Sequence, residues 1–354
     1  MSRTVAIIGA SGAVGSTLAA HLLRSQMLEP GDRLQLVGHG LETSSARLLA
    51  TRIDLLDAFD DNRVDVEMVP EIADVDADIV VVATGTSMSS TCRDRRDMGA
   101  QNIEIFEYIA EVCAARLPDA FYVVISNPVE LAVRILCKKL DRKRVIGMGA
   151  QQDSMRFGRA IAKDIGISRH QVHAAVLGEH GQAMVPLWSS IEIAKASKEN
   201  QQAFDALSQL AAEIPLPQRV RSLQSEVTDL LAASHIPEAY DAARRALPDA
   251  RIFVEPFITA FCVHSTPNAT ANATLVLLQA LMACDYRKVY GQVLLDGEFL
   301  GIRGICGVPL ALDSDQWIPH VSISLTDDEK SSVFDSVRSI EMFMSETLEA
   351  SSAC

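Results

Sequence analysis

The sequence predicts an α/β protein: a doubly wound parallel sheet in the first half, followed by a second, α+β unit. Three observations carry this prediction. Short apolar runs alternate with helix-spaced apolar residues through the first 150 residues or so. The runs are apolar at successive positions, as strands covered on both faces must be, and right-handed helical crossovers supply that cover. From Gln151 onward the rhythm changes to longer helices and a glycine-punctuated β region. At roughly 150 residues per domain, a length of 354 suits two units, and the change of pattern divides them into 1–148 and 149–350.

Val5–Gly9 reads as the first strand, and Val14, Leu18, Leu22 and Leu23 follow on one helix face. Leu34–Val37, Ile79–Ala83, Phe121–Ile125 and Val145–Ile146 are the further strands of the first half. In the second half a helix is expected over Asp153–Ile165, a strand over Val172–Leu177 and long helices over 187–247. Another helix covers Thr266–Ala283, β structure Tyr290–Leu295 and Gly301–Cys306, and a last helix about 327–350.

Composition narrows the class of partner. There are 32 Lys and Arg against 46 Asp and Glu, a net charge of −14, with 48% hydrophobic residues. Such a chain is neither disordered nor fibrous, and it lacks the clustered cations that binding to nucleic acid or an anionic membrane needs. No stretch of about 18 apolar residues is present to span a bilayer, and Val5-Ala6-Ile7-Ile8 is too short for a signal peptide. The seven cysteines form no Cys-x-x-Cys pair. They read as reduced thiols of a cytoplasmic protein, with no metal site expected.

Gly9-Ala10-Ser11-Gly12-Ala13-Val14-Gly15 lies where the first strand ends and the first helix begins. Glycines there permit a tight turn and close backbone approach, so the helix end offers N–H groups and its positive dipole end to a pyrophosphate. Gly9, Gly12, Ala13, Val14 and Gly15 are therefore candidate dinucleotide contacts. The second strand runs into Leu36-Val37-Gly38-His39-Gly40, with no carboxylate for an adenosine ribose. Gly38 in that place removes both a hydrogen bond to NAD and the repulsion that excludes a 2′-phosphate, so the cofactor is NAD or NADP. Glu42 fits either a solvated loop carboxylate or a ribose partner.

In the second half, Asp153-Ser154-Met155-Arg156 opens a helix with its two charges three residues apart, and Gly178-Glu179-His180-Gly181 follows a strand. A histidine in a glycine-flanked loop is accessible, whereas His21 and His173 fall inside predicted elements and read as structural.

Taken in order, Gly9–Gly15, Asn127-Pro128, Asp153–Arg156 and Leu177–Gly181 resemble the lactate/malate dehydrogenase family. The resemblance extends from Val5 to about Thr347, and its Gly-x-x-Gly-x-x-Gly turn and long loop after the second strand are similar to cytosolic and chloroplast malate dehydrogenases. It implies a Rossmann cofactor domain followed by a substrate domain, and reversible hydride transfer between nicotinamide and a 2-oxo or 2-hydroxy acid. His180 would exchange the proton, Asp153 would orient it, and Arg156 would clamp the substrate carboxylate bidentately. Asn127 would contact nicotinamide and substrate, with Gly85 and Asn102 completing the cofactor set.

Gly85–Met98 matches the family's substrate loop, which places the transition-state arginine at Arg95. Six residues earlier, where malate dehydrogenases carry an arginine for the second carboxylate of oxaloacetate, this chain has Ser89. Oxaloacetate is thus not necessarily the best substrate, and whether Arg93, elsewhere in the loop, takes the place of that arginine is left open by the sequence. An anionic acid and an anionic cofactor must approach an acidic protein, so a local field from Arg93, Arg95, Arg96 and Arg156 is expected to draw them in.

The resemblance also implies a homodimer or homotetramer; apolar faces at Leu18–Leu23, Ile53–Phe59 and Phe157–Ile165 fit either subunit contacts or core. Two other readings compete. A semialdehyde dehydrogenase shares the glycine turn but needs a cysteine nucleophile, and an idle dinucleotide-binding protein needs the fold without the chemistry.

Overall fold

The computed structural model describes residues 2–38, 42–61, 63–85, 95–263 and 265–352. The first half contains β1 (Thr4–Ile8), α1 (Ala13–Ser25), β2 (Arg33–Val37), α2 (Glu42–Ala58), β3 (Asp65–Val69), β4 (Ile79–Val82), α3 (Arg95–Arg116), β5 (Phe121–Val124), α4 (Val129–Leu136) and β6 (Val145–Gly147). The second half contains α5 (Gly149–Asp164), β7 (Val172–Gly178), β8 (Met184–Ile193), α6 (Lys198–Glu213), α7 (Leu216–Ala232), α8 (Ile236–Arg245), α9 (Pro248–Val263) and α10 (Pro267–Ala283). It closes with β9 (Val289–Asp296), β10 (Arg303–Leu312), β11 (Trp317–Pro319) and α11 (Asp327–Ser352).

Six strands pair in parallel in the order β3-β2-β1-β4-β5-β6, the doubly wound arrangement. The apolar runs explain it: every residue of β1, β4 and β5 is buried. One face packs α1, α2 and α10 against Val5, Ile7, Leu34 and Val81. The other packs α3, α4 and α11 against Ala6, Ile8, Val80 and Val82. A separate core lies between α5, β7 and helices α7 to α9.

The sheet does not stop at the seam. β6 meets β9 antiparallel at Gly147 and Gln292, and the ladder continues through β10, β7 and β8. The approach is close: a methyl group on Gly147 would come within 3.1 Å of the Gln292 Cβ.

One expectation is corrected and one strand is added. Residues 187–193, expected within long helices, belong to strand β8, whose pairing with β7 outweighs a local pattern that also suits a helix. β3 was not foreseen, because Asp65-Val66-Glu67-Met68-Val69 is a half-polar edge strand. Of the proposed subunit faces, Leu18, Leu22, Leu23, Phe157 and Ile161 belong to the core, whereas Ile53 is exposed. Among the described residues no helix is long and apolar enough to cross a membrane.

Candidate active site

The sheet gathers the candidate residues at the carboxyl ends of its central strands, beside the point where strand order reverses. Gly9 follows β1, Gly38 follows β2, Gly85 lies beyond β4, and Asn127 lies beyond β5.

At the glycine turn, Gly9 has φ +89°, which an L side chain rarely adopts. A methyl group there would also come within 2.8 Å of the Ala83 carbonyl oxygen. On Gly15 it would lie 2.8 Å from the Ala10 Cα, so helix and turn touch backbone to backbone. Gly12 caps α1 without a side-chain hydrogen bond, no acidic residue occupies the first turn, and Gly12 and Ala13 are exposed. The turn therefore fits a pyrophosphate, which glycines admit and a carboxylate in that turn would repel. The Gly38 N–H is bonded to the Val69 carbonyl at 2.9 Å, and the side chain of Glu42 lies outside the described residues.

Asn102 is fully buried and donates through Nδ2 to the Asn127 carbonyl oxygen at 2.9 Å. Its amide lies against Gly85, where a methyl group would come within 3.0 Å of it. Asn102 thus sits behind the cofactor turn and holds the backbone of Asn127, whose own residue is exposed at the sheet edge.

The polar cluster of the second half assembles around Asp153. That residue projects from α5, 1% exposed, and engages both partners. Its Oδ2 lies 2.6 Å from His180 Nδ1 and its Oδ1 accepts from Arg156 at 3.0 Å. Burial opposes ionisation of this carboxyl, but the His180 imidazole and then the Arg156 guanidinium outweigh it and hold Asp153 below the usual carboxylate range. An ionised Asp153 fixes the imidazole so that Nε2 is the nitrogen left for chemistry. Arg156 also reaches Thr266 Oγ1 at 3.4 Å, and Gln152 donates to Thr266 and Thr270. Beyond Arg156 opens a cavity of about 580 Å³ whose wall includes Gln152, Met155, Thr266, Asn268 and Tyr240.

The loop carrying His180 is held from three sides. Glu130 on α4 accepts the His180 backbone N–H at 2.6 Å, and Ser336 on α11 accepts that of Glu179 at 2.8 Å. Beneath the ring, Gly149 leaves no room: a methyl group there would overlap the His180 Cβ and Cγ and stand 2.9 Å from Nδ1. Sequence reasoning missed all three. Glu130 carried a signal, a lone carboxylate in the apolar stretch Val129–Leu136, whereas Ser336 carried none. Ser89 and Arg93 lie outside the described residues; Arg95 heads α3, but its side chain and that of Arg96 are likewise outside them. Among the described cysteines, Cys137 and Cys306 are pushed up to about 12 by burial, the reverse of an activated thiol.

Comparison with known proteins finds relatives that cover nearly the whole chain. L-2-hydroxycarboxylate dehydrogenase (NAD(P)(+)) of Methanocaldococcus jannaschii is 28% identical over 338 residues, covering 92% of this chain and 93% of that protein. Malate dehydrogenase of Methanosphaera stadtmanae is 24% identical, covering 95% of each chain. Among solved structures, a lactate dehydrogenase from Cryptosporidium parvum superposes with TM-score 0.76 at 20% identity over 98% of both chains. The family model of the lactate/malate dehydrogenase NAD binding domain matches residues 3–147, and that of the family's alpha/beta C-terminal domain matches 151–245. With both halves matched in order, this chain belongs to the lactate/malate dehydrogenase family.

Proposed function

We propose that the protein is an NAD(P)-dependent 2-hydroxy acid dehydrogenase. It would interconvert a 2-oxo and a 2-hydroxy carboxylic acid, malate and oxaloacetate or a related pair. The carrying observation is Asp153 bonded at once to His180 and Arg156, which puts a proton donor and a carboxylate clamp on one buried anion. The bound nicotinamide supplies or accepts the hydride. His180 gives its Nε2 proton to the carbonyl oxygen of the oxo acid and recovers it in the reverse direction. Asp153 accepts from Nδ1, which leaves Nε2 to exchange the proton, and stabilises the imidazolium, and Arg156 grips the acid's carboxylate through its planar fork. Arg95 would polarise the carbonyl from the head of α3. Gly9, Gly12, Ala13, Val14 and Gly15 would receive the pyrophosphate, with Gly38, Gly85, Asn102 and Asn127 lining the remainder of the cofactor's path.

Residues 1–148 would thus be the cofactor half and 149–350 the substrate half. Ser89 in place of an arginine, together with the cavity beside Arg156, supports acids other than oxaloacetate as substrates. Gly38 supports use of NADP as well as NAD, in line with the name of the Methanocaldococcus relative. A homodimer or homotetramer in the cytoplasm completes the reading. Its support is the apolar side chains left exposed on α2 and α9, Leu49, Ile53, Phe257 and Phe261. The deciding experiment is kcat/KM for oxaloacetate, pyruvate and larger 2-oxo acids with NADH and NADPH, followed at 340 nm. Turnover of at least one acid, abolished in His180→Asn, is expected; no turnover of any acid overturns the proposal.

A further inference from the structure

We infer that Ser336, on α11, is a positioning residue for His180: it fixes the point at which β7 turns into the loop that carries the imidazole. The inference rests on the reading of His180 as the proton-exchanging group and adds a residue which that reading does not contain.

β7 ends at Gly178, two residues before His180. Gly178 has φ +82°, a conformation that side chains rarely adopt and that lets the chain leave the ladder. The space beside it is taken. A methyl group on Gly178 would overlap Ser336 Oγ and stand 2.8 Å from Ser336 Cβ. β10 crowds the same residue, because a methyl group on Gly307 would lie 2.6 Å from the Gly178 carbonyl oxygen. Ser336 thus fills the notch that the missing side chain leaves. From there it accepts the next N–H of the chain, that of Glu179, at 2.8 Å. The pairing of β7 with β8 and β10 runs no further than Gly178, so this N–H lies beyond the ladder. Ser336 and Glu179 are 2% and 8% exposed, and an N–H so buried needs an acceptor.

α11 gives the hydroxyl a firm base. Val333 and Ile340, one turn to either side of Ser336, are buried and pack into the cores on opposite faces of the sheet. Past the anchored N–H, Glu179 ties off the loop with its own side chain, Oε2 accepting from the Ala183 N–H at 2.7 Å. His180 therefore stands between a fixed start and a closed turn. Its ring has little freedom, with Asp153 Oδ2 at 2.6 Å from Nδ1 and Gly149 directly beneath. If the start of the loop relaxes, the imidazole shifts against Asp153, while Arg156 stays in place on α5. The loss then falls on proton transfer and not on binding of acid or cofactor.

Two pairs that differ in the hydroxyl test this: wild type against Ser336→Ala, and Ser336→Thr against Ser336→Val. Oxo-acid reduction is followed at 340 nm and expressed per NADH-binding site, counted by fluorescence, so that loss of folded protein does not register. Removing the hydroxyl should lower kcat about tenfold in each pair, with KM for the acid and for NADH within about twofold. Protection of the Glu179 amide against hydrogen exchange should fall in Ser336→Ala and persist in Ser336→Thr. A kcat per site in Ser336→Ala within about threefold of wild type overturns the inference, and so does a loss carried by KM alone.

Should Ser336→Ala not fold, the Thr and Val variants decide by the same margin. Hydrogen exchange requires no turnover, so the two readings fail separately. A protein that reduces no oxo acid sinks the functional proposal, and the Glu179 amide then decides on Ser336: equal protection in wild type and Ser336→Ala overturns its role. Turnover that Ser336→Ala leaves intact sinks only the role of Ser336.

Discussion

Replacing Gly149 with alanine tests how tightly His180 must be held. Gly149 is the first residue of α5 with φ in the ordinary range, so alanine adds no backbone strain there and intrinsic helix propensity favours it by about 0.8 kcal/mol. The difficulty lies entirely in space. The new methyl group would stand 2.9 Å from His180 Nδ1, where ordinary contact begins near 3.4 Å, and it would overlap the Cβ and Cγ of the same ring. The ring must therefore retreat by at least about half an ångström at Nδ1, and further at its base, away from an Asp153 oxygen now 2.6 Å distant. A displacement approaching 1 Å at a reacting group costs on the order of a hundredfold in rate, about 2.7 kcal/mol of barrier. Gly149→Ala should thus lower kcat by roughly thirty- to a hundredfold, with melting temperature and NADH affinity by fluorescence close to wild type. A kcat within threefold of wild type would show that the site tolerates displacement and would refute the tight-packing argument.

Asp153→Asn should lower kcat/KM for oxo-acid reduction by two to three decades, since both charge-assisted bonds are lost, as measured at 340 nm. Asp153 has its pKa depressed in the folded state, so its stabilising contribution is present above the unfolded value near 3.9 and is lost as pH falls through the folded value. Urea titrations should accordingly show the stability gap between wild type and Asp153→Asn narrowing as pH drops below about 4. Arg156→Lys should raise the KM of the acid ten- to a hundredfold, while NADH binding, read by fluorescence, stays the same. Gly38→Asp should shift the NADH/NADPH ratio of kcat/KM at least about tenfold towards NADH, and an unchanged ratio would place the ribose elsewhere.

Legibility in the sequence tracked how local each constraint is. The turn at Gly9, Gly12 and Gly15 was readable because its demands fall within seven residues of one strand and helix. Asp153 and Arg156 were readable as a helical pair, and His180 as a histidine exposed after a strand. That all three meet on one carboxylate was implied by resemblance and is visible only in three dimensions. Residues whose meaning depends on a distant partner were not readable. Ser336 touches the reactive loop from 157 positions away, and Gly149 is one helical glycine among others until the imidazole is laid over it. The error at 187–193 has the same origin, because those residues become a strand through pairing with β7.

The continuous sheet has a consequence for how the molecule can be taken apart. Gln292 lends β9 to the last parallel strand, and its side chain accepts the N–H of Ala150 at the start of α5. A cut near 148 would leave β6 and β9 as raw edges, each a template for pairing with other chains. Fragments made at the sequence boundary would then aggregate rather than fold, and the intact chain should melt in one cooperative transition.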